Sequence, residues 1–210
     1  MKTVQYLAVV FVLLLFVLGC NDSDDSSSND TPKNNTGFQL CAGSANAYSD
    51  PTGDVIFDFI DMKNMTVFVG DDCIGGKIIL LNLPSQLTFN HTALDDNRFE
   101  YDWSITFDLD GNSDHSGGDI RLSLYHTKVA GSQEEEKSIL SATKKGVFEW
   151  IDSTDRELKA TFEADVSGDT IRYYVKKSAY DKLSNISNST KVLFETTHSN
   201  GTAGGKDSSP

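Results

Sequence analysis

The densest group of oxygen-bearing side chains lies in residues 107–120, FDLDGNSDHSGGDI, where they could bind a metal ion. Counted from Asp108, side-chain oxygens fall at steps one, three, five, seven, nine and twelve. A twelve-residue calcium loop uses this spacing to surround its ion. Crowded carboxylates also repel one another unless a cation neutralises them. The spacing therefore predicts a weak calcium site with the following ligands: Asp108, Asp110, Asn112, Asp114 and Asp119.

Three features separate this segment from an EF-hand. Ser113 stands where such loops need glycine, Asp119 replaces the longer bidentate glutamate, and strand-like patterns flank the segment. Asp, Asn and Gly are also the usual residues of an exposed hairpin turn. An ordinary polar turn is therefore the alternative to the calcium site.

Side chains suited to nucleophilic or zinc-dependent catalysis are scattered along the chain. The 4 histidines have no second histidine or cysteine at short spacing, and the G-x-S-x-G nucleophile elbow is absent. Carboxylate pairs suited to glycoside hydrolysis carry little information, because abundant Asp and Glu always provide candidates. We therefore expect a protein that is not an enzyme.

Aromatic side chains could stack on sugar rings if they lie on the surface. Tyr125 and Tyr174 fall on the polar phase of their strands, and Trp150 lies in VFEWID, where neither phase is clearly apolar. These three residues are the candidates for an exposed ligand-binding platform, with ordinary packing in the sheet as the alternative. Trp103 falls on an apolar phase and is expected in the core.

The N-terminus has the features of a secretion signal. Lys2 precedes an apolar run from Leu7 to Leu18, which is shorter than the roughly 20 residues that a membrane-spanning helix needs. The run ends in VLGC, which resembles the lipobox of bacterial lipoproteins. That resemblance implies a signal peptide at residues 1–19 and a lipid anchor on Cys20. The alternative is an ordinary secretory signal with a chance cysteine.

Composition limits the possible partners. The chain has 31 acidic and 18 basic side chains and a net charge of −13. Nucleic acid phosphates and anionic lipid surfaces repel so acidic a protein, whereas cations are attracted. We expect no nucleic acid partner. The predicted location is the bacterial cell envelope, with the lipid in a membrane and the domain in the periplasm or at the cell surface.

Two cysteines remain once Cys20 is assigned to lipid. Leftover cysteines of an exported protein usually pair under oxidising conditions, so we predict a disulfide between Cys41 and Cys73. Two separately buried thiols are the alternative.

The chain divides into a central domain and two polar ends. Residues 20–37 carry the anchor cysteine and a tether of mostly Asn, Asp, Ser and Thr, which cannot bury enough surface to fold. Residues 199–210 are similarly poor in apolar side chains and are predicted to form a flexible tail. The domain is therefore expected at residues 38–198.

Apolar side chains alternate with polar ones along most of this domain. The longest case is residues 98–108, RFEYDWSITFD, and shorter runs lie at residues 55–60, 65–69, 77–81, 120–125, 158–163, 171–175 and 191–197. Period two indicates strands with one buried face. The prediction is an all-β fold, a single antiparallel β-sandwich of jelly-roll or immunoglobulin-like type, with one short helical turn at residues 178–183.

Two segments resemble carbohydrate-binding modules of family 9 and the related DOMON domains of bacterial extracellular proteins. They are EYDWSITFDLDGNSDHSGGDI and ATFEADVSGDTIRYYVKKSAYDKLSNI, the latter followed by TKVLFETTH. The resemblance implies a non-enzymatic binding sandwich. Its members bind sugars, haem or protein partners, so it does not identify the ligand.

Two hypotheses of function follow. In the first, the sandwich of an anchored lipoprotein binds a ligand, most plausibly a polysaccharide, through aromatic side chains gathered on one sheet face or loop end. In the second, the lipoprotein has a structural or protein-interaction role in the envelope and binds no small molecule. The second hypothesis predicts an exposed sheet edge or apolar patch and no aromatic pocket.

Overall fold

The structure, a computed structural model, describes residues 38–89, 99–112, 117–127, 135–199 and 204–209. The predicted signal peptide, Cys20 and the tether lie outside these residues. Within the described ranges the chain is mostly β-strand, and no helix there is long and apolar enough to cross a membrane.

The strands of the described residues are β1 (Ser44–Ser49), β2 (Met62–Val69), β3 (Cys73–Leu80), β4 (Gln86–Phe89), β5 (Phe99–Asp108), β6 (Ile120–Thr127), β7 (Glu135–Ser138), β8 (Lys144–Trp150), β9 (Arg156–Ala160), β10 (Glu163–Ser167), β11 (Thr170–Lys176), β12 (Lys191–Ser199) and β13 (Gly204–Ser209). One short helix, α1, spans Ile139–Ala142.

These strands form two larger sheets and one small one, all antiparallel. The five-stranded sheet has the order β1-β2-β3-β11-β10, and the six-stranded sheet has the order β13-β12-β5-β6-β8-β9. Strands β4 and β7 pair separately. Side chains of both larger sheets share one hydrophobic core. The predicted all-β, antiparallel sandwich is confirmed.

The alternation along β5 places its large side chains in that core. Trp103, Ile105 and Phe107 are fully buried. The indole Nε1 of Trp103 donates a hydrogen bond to the Phe59 carbonyl over 3.0 Å, and Tyr173 Oη of the facing sheet donates to the Trp103 carbonyl over 3.0 Å. The polar atoms of these two core side chains are thus paired, as most buried polar groups are.

The predicted disulfide between Cys41 and Cys73 is present, with 5.7 Å between the two Cα atoms. It lies on the outer side of the five-stranded sheet in a small apolar cluster with Tyr174 and the partly buried rings of Phe38 and Phe68. The bridge ties the chain before β1 to the first residue of β3.

Residues 55–60 are predicted to form a strand, and this prediction is wrong. They form turns closed by local hydrogen bonds, such as Ile60 N–H to the Phe57 carbonyl. The rings of Phe57 and Phe59 pack edge-on against His198, at centroid distances of 5.1 and 5.3 Å. The loop therefore buries Ile60 and partly buries the two rings without a strand partner, and alternation in the sequence does not distinguish such a loop from a strand.

The C-terminal segment also differs from its prediction. Residues 204–209 are not a flexible tail but form β13, which pairs antiparallel with β12 from Phe194 to Ser199. Backbone groups form this ladder, so it does not depend on apolar side chains. The helical turn predicted at residues 178–183 is present as two 3₁₀ turns, Lys177–Ala179 and Asp181–Asn185, while α1 was not predicted.

Candidate functional site

The outer face of the six-stranded sheet, turned away from the core, carries polar side chains that are nevertheless buried. Ser104 of β5 lies between Ser123 of β6 and Glu195 of β12, and Thr106 lies opposite Arg121. Ser104 and Ser123 have no exposed surface. The period-two pattern predicts which face these residues occupy but not their burial.

Arg121 lies in this face and holds two carboxylates. Its Nη1 donates to Glu195 Oε2 over 2.6 Å, and its Nη2 pairs with Asp102, which also accepts a hydrogen bond from Ser123 Oγ. Burial alone would lower the pKa of Arg121, but the charges of the two carboxylates raise it above its usual value. The guanidinium is therefore charged, and its partners compensate for the loss of water.

Three aromatic rings pack beside this network. The rings of Phe99 and Tyr125 stack at 4.4 Å between centroids, and Phe148 meets Tyr125 edge-on at 5.4 Å. The guanidinium of Arg156 lies over Phe99, 4.2 Å from the ring centroid, in a cation–π contact. Burial, followed by the charge of Arg121, lowers the pKa of Arg156.

These side chains line an open groove of about 680 Å³. Its wall combines the three aromatic rings with the charged groups of Asp102, Arg121 and Arg156, and Lys144 and Thr197 also border it. Small-molecule sites have volumes of about 300–1,000 Å³ and combine apolar walls with a few polar groups. The groove has the size of such a site, and most of the side chains that line it are polar or charged.

The predicted exposed aromatic platform is wrong. Tyr125, Trp150 and Tyr174 have only 8%, 6% and 3% of their surface exposed. Tyr125 does line the groove, and Trp150 lies near its edge, with its ring 5.5 Å from the Arg156 guanidinium. Tyr174 belongs to the other sheet, where the apolar cluster around the disulfide buries it.

Phe99, Phe148, Arg121 and Arg156 are groove residues that the sequence did not single out. They come from four strands, and only the pairing order β5-β6-β8-β9 brings them together. A register shift between Phe99 and Tyr101 puts Phe99 against Tyr125 instead of continuing the alternation. The sequence pattern carries no signal for such a bulge.

The acidic loop brings three of its predicted calcium ligands together. Carboxylate oxygens of Asp108, Asp110 and Asp119 all lie within 4.8 Å of one another, and Asp119 is fully buried. Asp119 Oδ1 accepts a hydrogen bond from the Leu109 N–H over 2.7 Å. Asn112 donates its side-chain amide to Asp110 Oδ2 over 2.8 Å. Asp114 lies outside the described residues.

Comparison of the chain with models of known protein families, with curated proteins and with solved structures found no match. The structure itself shows an all-β protein with two packed antiparallel sheets.

Proposed function

We propose that this protein is an exported bacterial lipoprotein whose β-sandwich binds carbohydrate without cleaving it. The observation that carries the proposal is the groove on the outer face of the six-stranded sheet, where aromatic rings lie beside fixed charged groups. Sugar rings have apolar faces that pack on aromatic side chains, and hydroxyl groups that hydrogen-bond to carboxylates and guanidinium groups.

The position of the groove supports this assignment. Its walls are side chains of hydrogen-bonded strands and the short connection that precedes β9, so much of the binding surface is rigid before a ligand arrives. Preorganised side chains lose little conformational entropy on binding. Arg121 and Asp102, both almost fully buried, hold each other in place.

The state of Asp102, one of the two carboxylates that line the groove, supports a binding role. Glycoside hydrolysis needs two carboxyl groups free to act as acid and as base or nucleophile. Asp102 is bound by Arg121 and Ser123, and the neighbouring Glu195 by Arg121 and Lys206. These carboxylates serve to hold the guanidinium.

The anchoring part of the proposal rests on the N-terminal sequence. The VLGC segment resembles a lipobox, and the polar stretch that follows it would let the domain stand clear of the membrane. The resemblance of the domain to carbohydrate-binding modules of family 9 and DOMON domains is consistent with an extracellular binding role.

A binding titration tests the groove. The full chain, purified in a mild detergent, is applied to a glycan array, and positive glycans are titrated by calorimetry. Arg156→Ala and Phe148→Ala should weaken binding at least about tenfold, because each removes a groove contact worth about 1.4 kcal/mol or more. Arg172→Ala is the matched control, since Arg172 lies on the other sheet and pairs with Asp165.

Absence of binding at millimolar glycan, or equal losses for Arg156→Ala and Arg172→Ala, would contradict carbohydrate binding in the groove. The former result would favour the alternative, a structural or protein-interaction lipoprotein.

Calcium binding at the acidic loop is part of the same proposal. Its support is the ligand spacing in the sequence and the convergence of Asp108, Asp110 and Asp119. Compared with the wild type, Asp108→Asn/Asp110→Asn should bind one calcium ion fewer per chain in calorimetry, because calcium is bound through carboxylate oxygens. If the number of calcium ions bound per chain is unchanged, the loop is an ordinary polar turn and not a calcium site.

A further inference from the structure

A second group of carboxylates lies where the β1–β2 loop meets the last strand. Carboxylate oxygens of Asp50, Asp54 and Asp207 all lie within 4.8 Å of one another. Asp50 and Asp54 come from the loop, whereas Asp207 comes from β13, about 150 residues later in the chain. The fold itself thus assembles the group from distant segments, and the sequence pattern gave no indication of it.

A fourth carboxylate, Asp61, is buried beside this group. Asp61 has no exposed surface, and its Oδ2 accepts a hydrogen bond from the Gly53 N–H over 2.6 Å, next to Asp54 in the chain. The following residue, Met62, donates its N–H to Asp207 Oδ2 over 2.7 Å. Asp61 is therefore held between the loop and the strand that supply the other three carboxylates.

The second oxygen of Asp61 is buried without compensation in the part of the chain that the structure describes. Oδ1 of Asp61 has no hydrogen-bond partner there. None of the four carboxylates forms an ion pair with a described basic side chain. Asp50 Oδ2, within the group, is likewise buried without a hydrogen-bond partner among the described residues. Burying carboxylate oxygens without partners is unfavourable, and a bound cation would offset that cost.

The electrostatics of Asp207 agree with this geometry. Burial, followed by the charges of Asp50 and Asp54, raises the pKa of Asp207 to about 6 against the opposing hydrogen bond from Met62. Burial also raises the pKa of Asp50, to which the charges of Asp54 and Asp61 add. Asp50, Asp54 and Asp207 are thus close enough to repel one another.

We infer that Asp50, Asp54 and Asp207 bind a divalent cation, most suitably Ca²⁺, that joins the β1–β2 loop to the C-terminal strand and offsets the buried charge of the neighbouring Asp61. Calcium takes six to eight oxygen ligands at about 2.3–2.6 Å in flexible geometry, which suits carboxylates from two separate segments, the β1–β2 loop and β13. Mg²⁺ demands near-ideal octahedral geometry and keeps several waters, so it fits such a site less well. This inference is independent of the carbohydrate groove and of the acidic loop.

The test distinguishes this group from the acidic loop by using a variant in which two carboxylates of the acidic loop are neutralised. The full chain carrying Asp108→Asn/Asp110→Asn is stripped with a chelator, and thermal unfolding is recorded with and without about 10 mM CaCl₂. Calcium should raise the midpoint by about 3 to 8 °C for an affinity of about 10⁻⁴ to 10⁻³ M. Adding Asp54→Asn, at an exposed position, should abolish this rise without lowering the midpoint in chelator.

Asp207→Asn provides a second variant, since an asparagine oxygen can still accept the Met62 hydrogen bond; it should lose the calcium response as well. Asp152→Asn, at an exposed turn, is the control and should retain it. No calcium response in the Asp108→Asn/Asp110→Asn background would overturn the inference. So would a response that survives both Asp54→Asn and Asp207→Asn, because the ion would then bind elsewhere.

Discussion

Arg121 shows how much a single buried charge depends on its partners. It is 6% exposed and neutralises Asp102 and Glu195, which are almost fully buried. Replacing it with methionine removes the ion-pair partner of the buried Asp102 and one of the two cations that bind Glu195, which keeps Lys206. We therefore expect Arg121→Met to lower the free energy of unfolding by about 3–5 kcal/mol, measured by urea denaturation.

A triple variant checks that the loss comes from the stranded carboxylates and not from packing. Arg121→Met/Asp102→Asn/Glu195→Gln should regain most of the stability, because the remaining groups are neutral. Arg172→Met, which breaks the more exposed pair with Asp165, should cost about 1 kcal/mol or less. A wild-type denaturation midpoint for Arg121→Met alone would show that the ion network contributes nothing.

At the level of elements, β13 is the strand whose role is most testable. It pairs with β12, and its Asp207 accepts the Met62 hydrogen bond, so it joins the edge of the six-stranded sheet to the start of β2. We expect deletion of residues 204–210 to lower the melting temperature by about 5–10 °C, corresponding to about 2–4 kcal/mol.

Circular dichroism melts of the truncated and full chains measure this change. Deletion of Pro210 alone is the control, since it leaves the whole strand in place. Equal melting temperatures for the full chain and the variant lacking residues 204–210 would mean that these residues behave as the flexible tail that their composition predicts.

Strands could be predicted from the sequence where apolar side chains alternate with polar ones. In β5 the alternation from Tyr101 to Phe107 identifies the strand and the face that packs in the core, and the pairing of Cys41 with Cys73 was expected from the predicted export and the cysteine count. In β13 the ladder uses backbone groups, which every residue has, so GGKDSS gives no pattern. Residues 55–60 are the opposite case: they give a strand-like sequence pattern without forming a strand, because aromatic rings of a loop are partly buried there.

The candidate site was less predictable than the fold for a related reason. Sequence patterns report one strand at a time, whereas the groove depends on which strands are neighbours. Tyr125 was identified from its phase, but the rings and guanidinium groups around it come from β5, β8 and the start of β9. The acidic loop could be identified from the sequence because its carboxylates are close together in the chain. The group of Asp50, Asp54 and Asp207 could not be identified, because Asp207 is far from the other two in the chain.

For the whole molecule, the proposed location is the property that an experiment can settle most directly. If Cys20 carries the lipid, Cys20→Ser should shift the protein from the membrane fraction to the soluble fraction or leave it unprocessed, because the anchoring chains are missing. Membrane fractionation and mass spectrometry of the mature N-terminus measure both results. Ser26→Ala, in the polar stretch after the cysteine, should remain lipidated and membrane-bound. A lipidated, membrane-bound Cys20→Ser protein would contradict the assignment.

The position of the disulfide has a mechanical consequence. Tension applied at the N-terminus reaches Cys41 and passes through the covalent bridge to Cys73, at the first residue of β3. Strands β1 and β2 lie inside the bridged loop and are bypassed by the load. The load enters β3, which is held by neighbouring strands on both sides. The residues between the two cysteines cannot extend while the disulfide is intact. They correspond to about 100 Å of chain, given about 3.3–3.6 Å per residue over a separation of 32 residues. If the proposed tether and ligand both hold the domain, pulling between them would therefore extend the chain less while the disulfide is intact than after its reduction.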